Sequence, residues 1–439
     1  MNLLIHALTF ILYLACMIFL GRMILGMTTP PQRSQNMTEW IPTAFMLGSG
    51  ALCILVLPLS ILGVKTQPWM LLIAGGSVGG AAVLFKRKPG YGTSIPWAWY
   101  EFVALGVFAV FLTANFLMIS AYPQFDIDMI GHILMKAKVL SDSSYAGAVY
   151  FHDPVFATAH NNYPPLTVFL HSFMFLLGLN SIADYHALNY TALFLLGLTL
   201  HTALRTRIGI LQSLAWCFIL ISTADYLQSP FLVSSTDIYF SLAILLTALA
   251  FLNTKPESNA YENTLFSLLC ACTLLIKNDA VLFIGLITLG LWIKDRRFPA
   301  RHLLIMAVLT GPWMIYRMTL PDPGAGAELM LKHLGSSLLP QNLPRLFQDI
   351  SGVLTQGLNR IFLISLFAWP LLFRQKELRI LMACILLTIF AYTLLVWGAI
   401  PLAAKDDAVG LLRLWSQVYP LALFITAMSL HTLPKQTKS

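Results

Sequence analysis

Residues 163–179 read YPPLTVFLHSFMFLLGL, an apolar run opened by two prolines. It approaches the length of a bilayer span, about 17–25 residues. Whether it crosses decides the fold, because every basic loop after it changes side with it. Lys86-Arg87-Lys88, Arg205 with Arg207, Lys294 through Arg301, Arg374 through Arg379, and Lys435 with Lys438 punctuate the other apolar runs. Such clusters mark the cytoplasmic ends of spans. They fall on one side only if 163–179 makes no crossing; otherwise Arg205 and Arg207 lie outside and the rest of the pattern inverts. Tyr163-Pro164-Pro165 suits a helix that starts after a rigid bend. The segment is therefore expected to lie in the outer interface or to re-enter the membrane.

Working outward, candidate spans fall at 3–21, 41–64, 68–85, 98–120, 184–204, 208–224, 236–252, 264–276, 279–293, 301–318, 356–373, 379–400 and 411–431. The expectation is an all-α polytopic membrane protein of about 13 transmembrane helices, each a long apolar run, with interfacial helices in its first large outer loop. Residues 1–439 form one integral membrane domain in this reading. Its parts are N-terminal helices (1–120), an outer catalytic loop (121–183), core helices (184–318), a second outer loop (319–355) and C-terminal helices (356–439). The carboxyl terminus is placed inside and the amino terminus outside.

Composition agrees. Hydrophobic residues make up 58% of the chain and charged residues 10%, with a mean hydropathy of +0.75. No soluble domain fits between the spans. The net charge of +8 is what positive-inside loops produce, so no nucleic-acid partner is expected. Cys16, Cys53, Cys217, Cys270, Cys272 and Cys384 all sit in apolar runs and read as packing residues. His6, His171 and His201 stand on apolar faces and read as hydrogen-bonded core residues without a role in chemistry.

The polar residues that topology does not explain gather on the outer face. Phe125-Asp126-Ile127-Asp128-Met129-Ile130-Gly131-His132 follows a span directly, and carboxylates at a membrane edge mark function by default. Either Asp126 or Asp128 can serve as a general base or bind a metal; both also suit a solvated, helix-capping loop. Lys136 and Lys138 follow, as phosphate ligands or snorkelling lysines. His160-Asn161-Asn162-Tyr163 offers donors that can orient a substrate hydroxyl or phosphate. Asp237 opens a span behind Ser234-Ser235-Thr236, either as a helix-start carboxylate or as a second metal ligand beside Asp128. Lys277-Asn278-Asp279 interrupts an apolar stretch too long for one untilted span. Lys277 there meets either an anion or Asp279. Arg413, just inside the last span, presents a planar fork suited to phosphate, or anchors the interface with Trp415.

The order of these features resembles the GT-C superfamily of integral membrane glycosyltransferases, including protein mannosyltransferases and aminoarabinose transferases of lipid A. Asp128, Lys136 and Ala137 match a D-x(7)-K-A pattern of bacterial members. Tyr163-Pro164-Pro165-Leu166, Asp237-Ile238-Tyr239, Ile276-Lys277-Asn278-Asp279 and Arg413 before Tyr419-Pro420 follow in order, from about residue 120 to 420. Members often carry an aromatic residue near Ile133 and Glu at Asp279, where this chain departs.

The resemblance implies a polyprenyl-phosphate sugar donor and an inverting displacement on the periplasmic face of a bacterial inner membrane. Asp128 would be the base, with Asp126 its rival, and Lys277 and Arg413 would hold the donor phosphate. A divalent metal at Asp128 and Asp237 is left open, and the acceptor is a lipid, glycan or protein. Two alternatives stand beside it. A transporter or flippase of lipid-linked sugars would carry charges on broken helices near the midplane. An O-antigen ligase or polymerase would rely on the late loop with His333 and Arg345.

Overall fold

The computed structural model describes residues 3–28, 37–84, 97–121, 133–159, 161, 163–223, 236–254, 260–321, 375–399 and 407–431. Every regular element among them is helical. The helices are α1 (Leu3–Thr28), α2 (Met37–Ile61), α3 (Trp69–Leu84), α4 (Trp99–Ala121), α5 (Met135–Asp142), α6 (Val149–His152), α7 (Leu166–Leu176), α8 (Ile182–Ile208) and α9 (Ile210–Thr223). They continue with α10 (Asp237–Asn253), α11 (Ala260–Leu274), α12 (Ala280–Asp295), α13 (Ala300–Tyr316), α14 (Lys376–Ala399) and α15 (Asp407–His431). Each predicted span falls on one of them except 356–373, which lies outside the described residues.

Among the described residues, four segments are long and apolar enough to cross a bilayer by themselves: Leu4–Thr28, Trp40–Ile61, Trp99–Met118 and Ile182–Ile208. Burial sorts them. The segments in α2 and α8 are 72% and 78% buried and form the centre, whereas those in α1 and α4 are 22% and 17% buried and face outward. α10 is apolar and buried all round from Asp237 to Ala248, as a central helix must be.

α1 and α2 cross at backbone contact because two glycines leave room. A Cβ at Gly48 would lie 1.8 Å from the Met17 carbonyl oxygen, and one at Gly21 would lie 1.7 Å from that of Ala44. Small residues at such crossings replace the hydrophobic drive that a lipid solvent cannot supply.

The geometry decides the fate of 163–179. α4 and α8 pack antiparallel. Glu101, in the first turn of α4, meets Arg205 in the last turn of α8. Further along, Phe108 stacks on Phe194 at 5.5 Å, and Phe116 meets Tyr190 at 6.0 Å between ring centroids. The chain thus leaves α4 and enters α8 at the same end of the bundle, and 122–181 makes no net crossing.

α7 is too short to cross alone: its 11 residues span about 16 Å against a hydrocarbon core of about 30 Å. It is enclosed in protein, buried continuously from Leu166 to Met174. The Leu166 amide donates to the Leu275 carbonyl at 2.9 Å, and the Tyr13 hydroxyl donates to that of Leu170 at 2.8 Å. α7 is therefore an internal helix, at the end of the bundle that holds α5, the α5 end. Opposite it is the Arg205 end.

The remainder of the first loop is sewn down at the α5 end. Ser60 Oγ of α2 accepts from the Tyr145 amide at 2.9 Å. The Tyr145 ring packs between Phe151 and Trp313, with Tyr316 5.7 Å away. Substituting Gly48→Leu must separate α1 from α2, and overpacking of this kind costs about 1–3 kcal/mol. A lowered melting temperature in detergent, with Gly76→Leu on the open face of α3 left unchanged, is the expected outcome; equal behaviour of the two would refute the crossing.

Candidate functional site

α11 runs toward the α5 end beside α13, shown by the bond from Ser267 Oγ to His302 Nδ1 (2.7 Å) near one end of the pair and from Arg317 Nη1 to Asn278 Oδ1 (3.0 Å) at the other. α12 returns, so that Lys294 Nζ caps the end of α10 by donating to the Phe251 carbonyl at 2.9 Å. Lys277-Asn278-Asp279 is thus the tip of a hairpin. α11 has 15 residues, about 22 Å of helix, and its tip meets Arg317 at the end of α13.

Lys277 is buried at the tip, Asn278 and Asp279 only partly, and the charges are met there. Lys277 Nζ lies 2.8 Å from Asp237 Oδ1 and 3.3 Å from Asp279 Oδ2. Asp237 is fully buried in the first turn of α10, where the helix dipole favours a carboxylate. Its Oδ1 also accepts from Gln417 Nε2 of α15 at 2.7 Å. One carboxylate oxygen thereby joins the starts of two elements to the third turn of the last helix. Both sequence readings of Lys277 meet here: the pair with Asp279 exists, and a second, shorter pair with Asp237 accompanies it. Thr236, not Asp237, holds the N-cap position, and it makes no side-chain cap bond; Asp237 acts as counter-ion to Lys277. Asp237 Oδ1 thereby accepts from two donors, the Lys277 ammonium and the Gln417 amide; Asp128, its expected companion at a metal, lies outside the described residues.

Lys136 lies on α5 and is almost wholly buried, with its ammonium 5.9 Å from the centre of the Tyr163 ring. Burial lowers its pKa to about 7, because a desolvated ammonium is costly, and the ring face offsets part of that cost. Tyr163 lies three positions before Leu166, and Lys277 two positions after Leu275. The Leu166–Leu275 hydrogen bond therefore brings the two clusters together at the α5 end. Arg413 falls on α15 one turn before Gln417, a spacing that puts both positions on one helix face. Asp126, Asp128 and His160 lie outside the described residues.

Other polar groups escaped sequence reasoning. Glu101 and Arg205 have no exposed side-chain surface. Arg205 Nη2 donates to Glu101 Oε2 at 3.0 Å, and the Ala98 amide donates to the same oxygen at 2.7 Å. His201 Nε2 lies 2.9 Å from Glu101 Oε1, and its Nδ1 is 2.9 Å from Ser213 Oγ. The Arg205 guanidinium covers the Trp97 ring at 4.9 Å. The signal was available: a carboxylate in an apolar span, and His201 and Arg205 four apart on one helix face. By sequence alone, Arg205 reads as a topology marker only. His201 and His171 are the hydrogen-bonded core residues expected, but His6 is half-buried and paired with Asp184, which caps α8. Gln417 was missed because a lone amide in an apolar run names no partner.

Scans against models of known families, curated proteins and solved structures find no match to this chain. Fold and site define a multi-span, all-α membrane protein with a buried charged cluster at one end. Removing one member of a buried ion pair costs about 3–5 kcal/mol, chiefly through the charge left behind. Asp237→Ala is expected to lower the thermal stability in detergent by that order, and adding Lys277→Met is expected to recover most of it. A double variant no more stable than the single would show that the pair is not the coupling unit.

Proposed function

We propose that the chain is a membrane glycosyltransferase that moves a sugar from a polyprenyl-phosphate donor to a hydroxyl or amine of a lipid, glycan or protein acceptor. The observation that carries this reading is the convergence, at the one end where the loop bearing Asp126 and Asp128 returns to the bundle, of the buried Lys136–Tyr163 and Lys277–Asp237 clusters. Buried cations at the end of a membrane bundle suit a phosphate that approaches from the lipid. The positive-inside pattern places this end outside, which for a bacterium is the periplasmic face of the inner membrane.

In this mechanism the acceptor oxygen or nitrogen attacks the anomeric carbon as the bond to the phosphate oxygen breaks. The configuration inverts, polyprenyl phosphate leaves, and the acceptor proton passes to the carboxylate of Asp128, or of Asp126. Lys136, Lys277 and Arg413 stabilise charge as it develops on the departing phosphate. His160 and Tyr163 orient the substrate. Asp237 holds Lys277 in place until the phosphate competes for its ammonium. The hairpin at 277–279 supports a one-ended site over a transport site, since a transporter breaks through-going helices at the midplane.

Sugar transfer in membranes supplied with labelled polyprenyl-phosphate sugars and a cell-envelope acceptor extract tests the proposal. Asp128→Asn is expected to cost about 10²–10⁴-fold, the usual worth of a general base. Full activity in that variant would move the role to Asp126. Protein-dependent movement of the lipid across the bilayer without transfer would favour a flippase.

Lys136 supplies a second test, with a definite sign. Its pKa is depressed to about 7, so it carries charge below that pH and loses it above. Donor affinity is expected to fall as pH rises from about 6 to about 8, through that midpoint. Lys136→Arg, whose charge persists, should flatten the profile. A wild-type profile flat over that range would remove Lys136 from phosphate binding.

A further inference from the structure

Between α4, α8 and α9, toward the Arg205 end, lies an apolar cavity of about 600 Å³. Ala104 and Phe108 of α4, Gly197 and His201 of α8, and Cys217 and Phe218 of α9 line it. Its rim opens sideways: Val107 and Phe111, on the spanning-length α4 segment, are 65% and 45% exposed, and Phe218 on the apolar α9 is 69% exposed. The floor is closed by His201, whose two nitrogens are already engaged by Glu101 and Ser213. The Cys217 thiol donates to the Gly197 carbonyl at 3.4 Å. An occupant is therefore offered no hydrogen bond and must be hydrocarbon.

We propose that this cavity is a binding site for one acyl chain of a glycerophospholipid from the leaflet at the Arg205 end. Size argues for that source. At about 30 Å³ per group, the share that a water molecule takes in the liquid, the cavity holds about 20 methylene-sized groups. That is one acyl chain; the tail of a polyprenyl carrier is several times longer. Position agrees, because the cavity lies at the end opposite the charged cluster. The chain supplies packing that protein does not. The α4 segment is only 17% buried and is pinned at its first turn by Glu101. Gly197 lets Phe108 of α4 come close at the cavity wall, since a Cβ there would meet Phe108 Cε1 at 2.6 Å. The seated chain wedges α4 against α8 and α9 along the helix that leads into residues 122–132. The inference does not rest on the proposed glycosyl transfer.

The test uses the full chain in bilayers containing a phospholipid with a photoactivatable acyl chain, followed by mass spectrometry of the labelled peptides. Labelling of 104–111 and 214–218 is expected to exceed that of the equally exposed Leu8–Leu12 and Leu72 surfaces by about tenfold, equivalent to about 1.4 kcal/mol of preference over bulk lipid. Ala104→Trp, which fills the cavity, should abolish the excess. Even labelling of all exposed faces would overturn the proposal and leave only bulk lipid. Preferential labelling by a photoactivatable polyprenyl phosphate, with none by the phospholipid, would overturn the assignment to an acyl chain.

Discussion

A carboxylate and a guanidinium with no exposed surface, Glu101 and Arg205, fasten α4 to α8. In an apolar bundle neither charge can be left alone, so the pair must form and α4 must lie antiparallel to α8. From that single constraint the sidedness of the chain follows. α4 and α8 share an end, the segment between them returns to it, and α7 is forced into the bundle as a short internal helix. The two remaining Glu101 contacts, from the Ala98 amide and His201, satisfy the lone pairs that an ion pair alone would leave exposed to hydrocarbon.

The second buried pair obeys the same rule and has a different consequence. Asp237 and Lys277 neutralise each other in a buried cluster that also receives Gln417. Three segments distant in sequence, the start of α10, the α11–α12 tip and the third turn of α15, meet on one oxygen atom. A compensated lysine is a weaker anion trap than a bare one. It is also a more selective one, because only a ligand that outcompetes a buried carboxylate gains its charge.

The fold was legible where the signal is local. Apolar runs of spanning length became helices, and the prolines before Leu166 marked a helix start. Charge asymmetry around Arg205 and Lys294 foretold that 163–179 makes no net crossing. Legibility ended where the signal is a partnership between distant residues. Arg205 is both a basic residue near a helix end and the partner of Glu101, 104 positions away, and only the first property has a sequence pattern. Lys277 and Asp237 were each legible as charges out of place, yet nothing in either neighbourhood named the other. Asp126, Asp128 and His160 lie outside the described residues, so that part of the site rests on sequence alone.

The separation of Glu101 from Arg205 also bears on how the protein is made. Glu101 enters the membrane with its helix long before its partner exists. At a synthesis rate of about 5–20 residues per second, the 104 intervening positions take about 5–20 s. During that interval the carboxylate sits only in the first turn of α4, shallow enough to keep its head in interfacial water. The helix can thus be laid down early and unpartnered, then drawn under the surface when α8 arrives with its guanidinium. Placing the acid at the helix end, rather than mid-span, makes the order of insertion tolerable.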